Sequence, residues 1–441
     1  MTPFAIDPLA LLRRCGVVSE ATGTIVRARG VQARIGERCV LRGLRGPGGC
    51  ETHTDAEVIG VAQDELLLMP FGGIEGVGVG TEVLATGAPL LLAVGEGCLG
   101  RVLSARGEPI DGLGEIIGEL KRIDLRGSPP APMARNRIDR VLASGVRAID
   151  ALCTVGEGQR VGIFAPAGVG KSVLLGMLTR SAQCDVAVVA LIGERGREVR
   201  EFVEDNLGAE GLRRSVVIVA TADTGPIERT RAALAATAMA EHFRDQGKRV
   251  LLLVDSLTRF ARAQREIGLA RGEPPTRRGY PPSLFAALPQ LLERAGNSQA
   301  GTLTAFYTVL MEDEATPDPV AEEVRSLLDG HLVLTRKQAE RGIYPAIDPN
   351  ASLSRLMHDI VSPAHREAAG KVRRLLAARA EAEVLVQMGE YQRGNDLVTD
   401  EALERGPRLD ELLRQSQKVP CSWSDALASL SQSSGVAVAA T

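Results

Sequence analysis

The sequence predicts a multidomain protein: an N-terminal β-barrel, a central α/β domain built on a parallel sheet with a phosphate-binding P-loop, and a C-terminal α-helical domain. Three observations carry this. Short apolar runs between glycines and prolines, with no helical period, fill Thr22 to Leu84. From Leu90 onward, apolar strand-like runs alternate with helical stretches. After Asp359 the strand-like runs stop and helical spacing takes over. The expected divisions are 1–89, 90–358 and 359–441.

The first segment, Pro8 to Cys15, is short, apolar and then basic, which reads as a frayed terminus packing on its own domain, with a membrane-touching helix as the alternative. The barrel runs are Thr24–Ala28, Ala33–Ile35, Val58–Val61 and Glu65–Met69. Ser128 to Met133 (SPPAPM) follows; its prolines favour an extended connector. Val161–Ala165, Val186–Ile192, Val216–Ala220 and Val250–Val254 are the expected parallel strands. Lys371 to Met388 places Val372, Leu375, Leu376, Ala380, Val384 and Met388 at helical spacing. Ser431 to Thr441, made of small uncharged residues, is expected to be disordered.

Bulk properties exclude several classes. A formal charge of -3 and a pI near 6.1 argue against a polyanion binder, which carries a clustered basic excess. An aromatic content of 3% leaves little for base stacking. Seven cysteines without a C-x-x-C pair suit a reducing, cytosolic compartment. No apolar stretch of about 18 residues and no basic-then-apolar leader is visible, so neither a membrane span nor Sec export is expected.

The chemistry concentrates at strand ends. Val161–Ala165 runs into Ala165-Pro-Ala-Gly-Val-Gly-Lys-Ser172, a match to G-x-x-x-x-G-K-[ST] with Ala165 in place of the first glycine. Ala165 is tolerable if its backbone is not left-handed, whereas Gly168 and Gly170 stand where amides must turn onto phosphates. The segment from Ala167 through Gly168, Val169, Gly170, Lys171, Ser172 and Val173 is the candidate nucleotide cradle. In it Lys171 bridges the β- and γ-phosphates and the Ser172 hydroxyl ligates Mg²⁺.

Val250 to Asp255 (VLLLVD) ends in a carboxylate suited to hold the metal's hydration shell, though a strand-terminal Asp is also a common helix cap. Val186–Ile192 ends in Gly193-Glu194-Arg195-Gly196-Arg197-Glu198. There Glu194 could orient the attacking water and Arg195 meet the γ-phosphate, or the cluster could simply open a solvated helix.

Four long stretches then carry a family resemblance: GQRVGIFAPAGVGKS (Gly158 to Ser172), VALIGERGREVREF (Val189 to Phe202), LLLVDSLTRFARAQREIG (Leu251 to Gly268) and YPAIDPNASLSRLM (Tyr344 to Met357). Together with GEPPTRRGYPPSLFAALPQLLERAG (Gly272 to Gly296) and MGEYQRGNDLVTDEAL (Met388 to Leu403), they resemble the ATPases of type III secretion systems, relatives of the rotary ATP synthase catalytic subunit. The resemblance spans nearly the whole chain. It implies a RecA-like central domain and a homohexameric ring with catalytic sites between subunits, using ATP and Mg²⁺.

By motif position it implies Glu194 as the water-polarising carboxylate, Arg195 as a γ-phosphate contact and Asp255 as a carboxylate reaching Mg²⁺ through water. It implies Tyr344 as the residue stacking on adenine and Arg355 as the arginine finger entering the neighbour's site. By themselves Tyr344 reads as a packed aromatic and Arg355 as a surface arginine. The implied partners are further copies of the chain, central stalk and stator proteins, chaperone–effector complexes and the inner-membrane export gate, with no nucleic acid. The implied location is cytoplasmic and peripheral to the inner membrane.

Ala165 and Ser172 are similar to the secretion branch. The brief N-terminal region and the wording of Met311 to Pro319 favour an injectisome over the flagellar exporter. A rotary-pump catalytic subunit fits the length and the MGEYQRGND stretch less well. An RNA translocase would need a stacking platform, yet Phe4 and Phe71 are the sole aromatics before the core. A non-catalytic nucleotide-binding subunit would be expected to lack Glu194.

Overall fold

The structure is a computed structural model that describes residues 15–43, 53–311 and 318–439. The expectation for Pro8 to Arg14, and most of the Met311 to Pro319 stretch, lie outside the described residues.

The chain begins as a closed antiparallel barrel of β1 (Cys15–Thr22), β2 (Ile25–Arg29), β3 (Arg38–Arg42), β4 (His53–Ala62), β5 (Glu65–Pro70) and β6 (Glu82–Ala85), ordered β1-β2-β5-β4-β3-β6. Alternating positions fill it: Val18, Val26, Ala28, Cys39, Leu41, Ala56, Val58, Leu66, Leu68 and Val83 form its buried core. Burial pushes the Cys39 thiol up to about 12, so it packs as a small apolar group. The expected strand at Ala33–Ile35 is instead a loop. The Glu37 carboxylate accepts the Arg34 amide at 3.0 Å, and Gly36 turns the chain with φ 82°; both withdraw the segment from the ladder.

A small ribbon of β7 (Leu92–Val94) and β9 (Lys121–Ile123) flanks β8 (Val102–Ser104). Ser128 to Ala131 is irregular, as a proline connector should be, before a short turn at Pro132–Ala134. The central sheet adds β10 (Arg160–Ala165), β11 (Val186–Glu194), β12 (Ser215–Thr221), β13 (Arg249–Asp255), β14 (Thr302–Leu310), β15 (Gly330–Leu334) and β16 (Ile347–Ser354). The order across it is β16-β15-β10-β14-β13-β11-β12-β8. Every pairing is parallel except β15 with β16.

Both faces are covered, which is why these strands are continuously apolar. Val189, Leu191, Val217, Leu251 and Leu253 face the helix Lys171–Ser181 and the C-terminal helices. Their alternates Val188, Ala190, Ile218, Leu252 and Val254 face the alanine-rich helix Pro226–Asp245 and the helix Leu257–Ala270. The barrel rests on the same layer: Ile59, Leu67, Met69 and Phe71 pack on Ile227 and Ile267, and Arg231 crosses to Glu57 at 2.6 Å.

The C-terminal helices Pro363–Gln387, Leu397–Glu404, Gly406–Leu413 and Trp423–Ser434 share the core beneath the P-loop helix through Val372, Leu375, Leu409, Leu427 and Leu430. Ser362, Asp396 and Ser422 cap three of them through their side-chain oxygens. The expected disorder from Ser431 is corrected here. The last helix runs through Ser434, with Ser433 and Ser434 buried, Gly435 closes it in the left-handed conformation at φ 73°, and Val436 and Val438 pack on the core. Small side chains permit close helix approach, so low apolar content did not mean disorder. Among the described residues no helix is long and apolar enough to cross a membrane.

Candidate active site

The carboxyl ends of β10, β11 and β13 converge, and each delivers one functional group. β10 stops at Ala165, whose side chain is fully buried. Among the described residues the non-glycine positive-φ positions are Gln63 and Arg278, so Ala165 needs no left-handed backbone and the missing glycine is harmless. Gly168 and Gly170 do adopt it, at φ 83° and 86°. Between them Val169 is buried in the core, pinning the loop while Ala167 and Gly168 stay exposed. Gly170 opens the helix Lys171–Ser181, so the free amides and the positive dipole end point outward where an anion would sit.

Lys171 reaches across to β13: its Nζ lies 2.5 Å from Asp255 Oδ1 and 3.7 Å from Glu194 Oε1. Asp255 is 2% exposed and also accepts the Thr308 hydroxyl at 2.7 Å, so this carboxylate is fixed from two sides. Glu194, at the end of β11, is pushed up to about 7 by burial and then by the Asp255 charge, with Lys171 opposing. Its interaction with Glu198 adds to the rise and holds the Glu198 carboxyl below the usual range.

Ser172 is exposed at the cradle's mouth. One hydroxyl with two nearby carboxylates suits Mg²⁺ held mostly by phosphates and water rather than by a protein cage. Tyr344 stands beside the loop: a Cβ placed on Gly170 would be 3.8 Å from its ring, and the residue is 47% exposed. An aromatic face is thus open next to the phosphate cradle.

Two expected residues lie elsewhere. Arg195 points to solvent, with its side chain 79% exposed and Glu198 Oε1 4.0 Å away. Arg355 is exposed just past β16. Because Ser354 pairs with Gly330, Arg355 sits level with the start of β10, while the P-loop follows its end. At about 3.3 Å per residue the length of β10 puts roughly 17 Å of sheet between them.

Two further residues escaped sequence reasoning. Thr308 orients Asp255 as described. Arg259 packs against Gly193, where a Cβ would meet its side chain at 3.2 Å, and its charge acts on Glu194. Its Nε is buried without a hydrogen-bond partner among the described residues. A signal existed: Arg259 occupies the first turn of the helix Leu257–Ala270, where a cation opposes the dipole unless an anion is to be met.

Comparison with known proteins agrees with this architecture. Residues 145–354 match the nucleotide-binding domain of the ATP synthase alpha/beta family, residues 18–87 its beta-barrel domain, and residues 361–432 the T3SS EscN ATPase C-terminal domain. A type 3 secretion system ATPase of Xanthomonas euvesicatoria is 56% identical over 407 residues, 92% of this chain and 91% of that one. A flagellum-specific ATP synthase of Treponema pallidum is 49% identical, covering 96% and 94%. The solved structure of the assembled ATPase EscN from the enteropathogenic E. coli type III secretion system superposes with a TM-score of 0.88 at 44% identity, covering 95% and 99%. EscN has also been solved in complex with its central stalk EscO, with a TM-score of 0.86 at 43% identity and the same coverage.

Proposed function

The chain belongs to the type 3 secretion system ATPase family and hydrolyses ATP, and on that premise we propose that it works as the homohexameric motor of an injectisome, with residues 1–89, 90–358 and 359–441 as barrel, ATPase and helical domains. The observation that carries the ring is the separation of Arg355 from its own P-loop by the length of the sheet. An arginine there can serve a neighbour's nucleotide and not its own.

In the proposed site the amides of Ala167 to Val173 cradle the phosphates, and Ser172 and Lys171 engage them as Lys171 leaves Asp255. The Mg²⁺ supplies charge neutralisation across the phosphates when bound. Asp255 and Glu194 would hold its water shell. Glu194, once deprotonated, takes the proton of the attacking water. Tyr344 stacks on the adenine. Arg259 faces the γ-phosphate from within, and Arg195 comes to it from the rim. Arg355 of the adjacent copy stabilises the transition-state charge, worth about 10³ to 10⁵ in rate for an arginine supplied in trans.

The central stalk is a proposed partner, supported by the stalk complex of EscN. Stator proteins, chaperone–effector complexes released and unfolded by turnover, and the export gate at the cytoplasmic face of the inner membrane complete the reading. Nucleic acid is not among the partners.

Mixing tests it. Arg355→Ala and Lys171→Ala chains are each inactive alone, but a mixed ring contains interfaces with an intact P-loop and an intact finger, so part of the activity returns. No recovery in rings confirmed by light scattering would defeat the shared site. A flagellar exporter is the second reading, favoured by the 49% identical flagellar relative. Restoring secretion in an injectisome ATPase deletion, rather than motility in a flagellar one, separates the two.

A further inference from the structure

The turn carrying Arg355 is tied to the foot of the strand that carries the P-loop, through one fully buried amide. Gln159 has no exposed surface and immediately precedes β10. Its Nε2 donates to the Asp329 carbonyl at 3.1 Å and to the Ser354 hydroxyl at 3.1 Å, while its Oε1 accepts the Gly156 amide at 2.9 Å. The same Asp329 carbonyl accepts the Arg355 amide at 3.0 Å. Gln159 therefore grips both the residue before Arg355 and the acceptor that holds Arg355 itself.

The surroundings are built for this grip. The Asp329 carboxylate is clamped by Arg160, whose Nε and Nη2 donate at 3.0 and 3.1 Å, and whose backbone amide donates at 3.1 Å. Gly330 is required beside it, since a Cβ there would lie 2.6 Å from the Leu353 carbonyl and 3.2 Å from Gln159 Nε2. The Arg355 guanidinium is exposed, so what fixes its direction is the backbone beneath it.

We propose that Gln159 is the positioning residue of the finger: by holding Ser354 and the Asp329 carbonyl it sets where Arg355 enters the neighbour's site. This rests on the reading of Arg355 as a finger acting in trans. The alternative is that Gln159 merely supports its own P-loop through β10, and the two make opposite predictions in mixed rings.

Gln159→Met keeps the length and removes the grip. Displacing a catalytic group by about 1 Å costs about 10²-fold in turnover, so kcat falls on that scale while ATP affinity, measured with a fluorescent analogue, stays at the wild-type value. Mixed with Lys171→Ala chains, Gln159→Met regains activity, because its P-loop is intact and the other chain supplies the finger. Mixed with Arg355→Ala it gains nothing, because neither chain supplies one. Recovery with Arg355→Ala instead, weakened ATP binding, or wild-type turnover would each overturn the proposal. The Arg355→Ala and Lys171→Ala mixture runs alongside, and its failure alone indicts the finger rather than Gln159. If Gln159→Met does not fold, Ser354→Ala decides: it removes one partner of the grip, and it must show a smaller kcat loss in the same complementation group as Arg355→Ala.

Discussion

Replacing Glu194 by glutamine tests its proposed role as the water-activating carboxyl. Burial and the neighbouring Asp255 charge raise the Glu194 carboxyl from 4.5 to about 7. A base must be ionised to work, and a group with that value is about one tenth ionised at pH 6 and about nine tenths at pH 8. The rate constant kcat/KM, which reports the free enzyme, should rise about tenfold over that interval. Phosphate release is measured at low ATP with Mg²⁺ in excess, in both variants. Glu194→Gln should lose about 10² to 10⁴ in rate and its remaining activity should be flat with pH.

A second readout needs no turnover. A carboxyl raised by folding lends stability that is fully present below its unfolded value and is lost as pH climbs through about 7. Without nucleotide, Glu194→Gln should therefore melt above the wild type at pH 8, and the gap should narrow as the pH falls from about 7 towards 4.5. A limb that persists in Glu194→Gln, or a melting gap that ignores pH, would refute the assignment of the proton to Glu194.

Other expectations follow from the same geometry. Lys171→Ala should abolish hydrolysis and leave far-ultraviolet circular dichroism unchanged, because Asp255 keeps its Thr308 bond. Tyr344→Ala should raise KM by the loss of base stacking, about 1 to 3 kcal/mol or roughly 5- to 150-fold, with kcat nearly unchanged. Leu430→Ala, in the helix Trp423–Ser434, should lower stability by about 2 to 5 kcal/mol in urea unfolding, since Leu430 is fully buried.

What could be read from sequence followed from burial. β10, β11, β12 and β13 are covered on both faces, so Val186–Ile192 and Val250–Val254 show as unbroken apolar runs with carboxylates at their ends. β14 is equally buried but reads Thr-Leu-Thr-Ala-Phe-Tyr-Thr-Val-Leu; three threonines, one of which serves Asp255, mask its core character. β8 is a three-residue edge strand, too short to leave a pattern. In the barrel, polar residues alternate outward, and β3 sets Arg38 and Arg42 around Cys39, Val40 and Leu41, too short and too charged to read as an apolar run. Arg259 was hidden for another reason: the helix it opens is amphipathic and arginine-rich, and only its first-turn position separates it from Arg262 and Arg265. Its buried Nε, without a hydrogen-bond partner among the described residues, appears once Gly193 is packed beside it.

The distribution of the site along the sheet has a consequence for the proposed motor. Lys171, Glu194 and Asp255 meet at one end of the parallel strands, so in the proposed motor binding and water activation need only a single chain. Arg355 is at the other end, just past the antiparallel edge strand, and an extra strand length is longer than any arginine side chain. An isolated chain should then bind ATP with full affinity yet turn it over slowly. Because a partner-supplied finger acts mainly on the transition state, dilution should lower kcat and leave affinity alone. Specific activity should rise with protein concentration from nanomolar to tens of micromolar, in step with ring mass by light scattering. A constant specific activity with a monomer at every concentration would mean that the chain completes its own site without Arg355, and would refute the proposed finger.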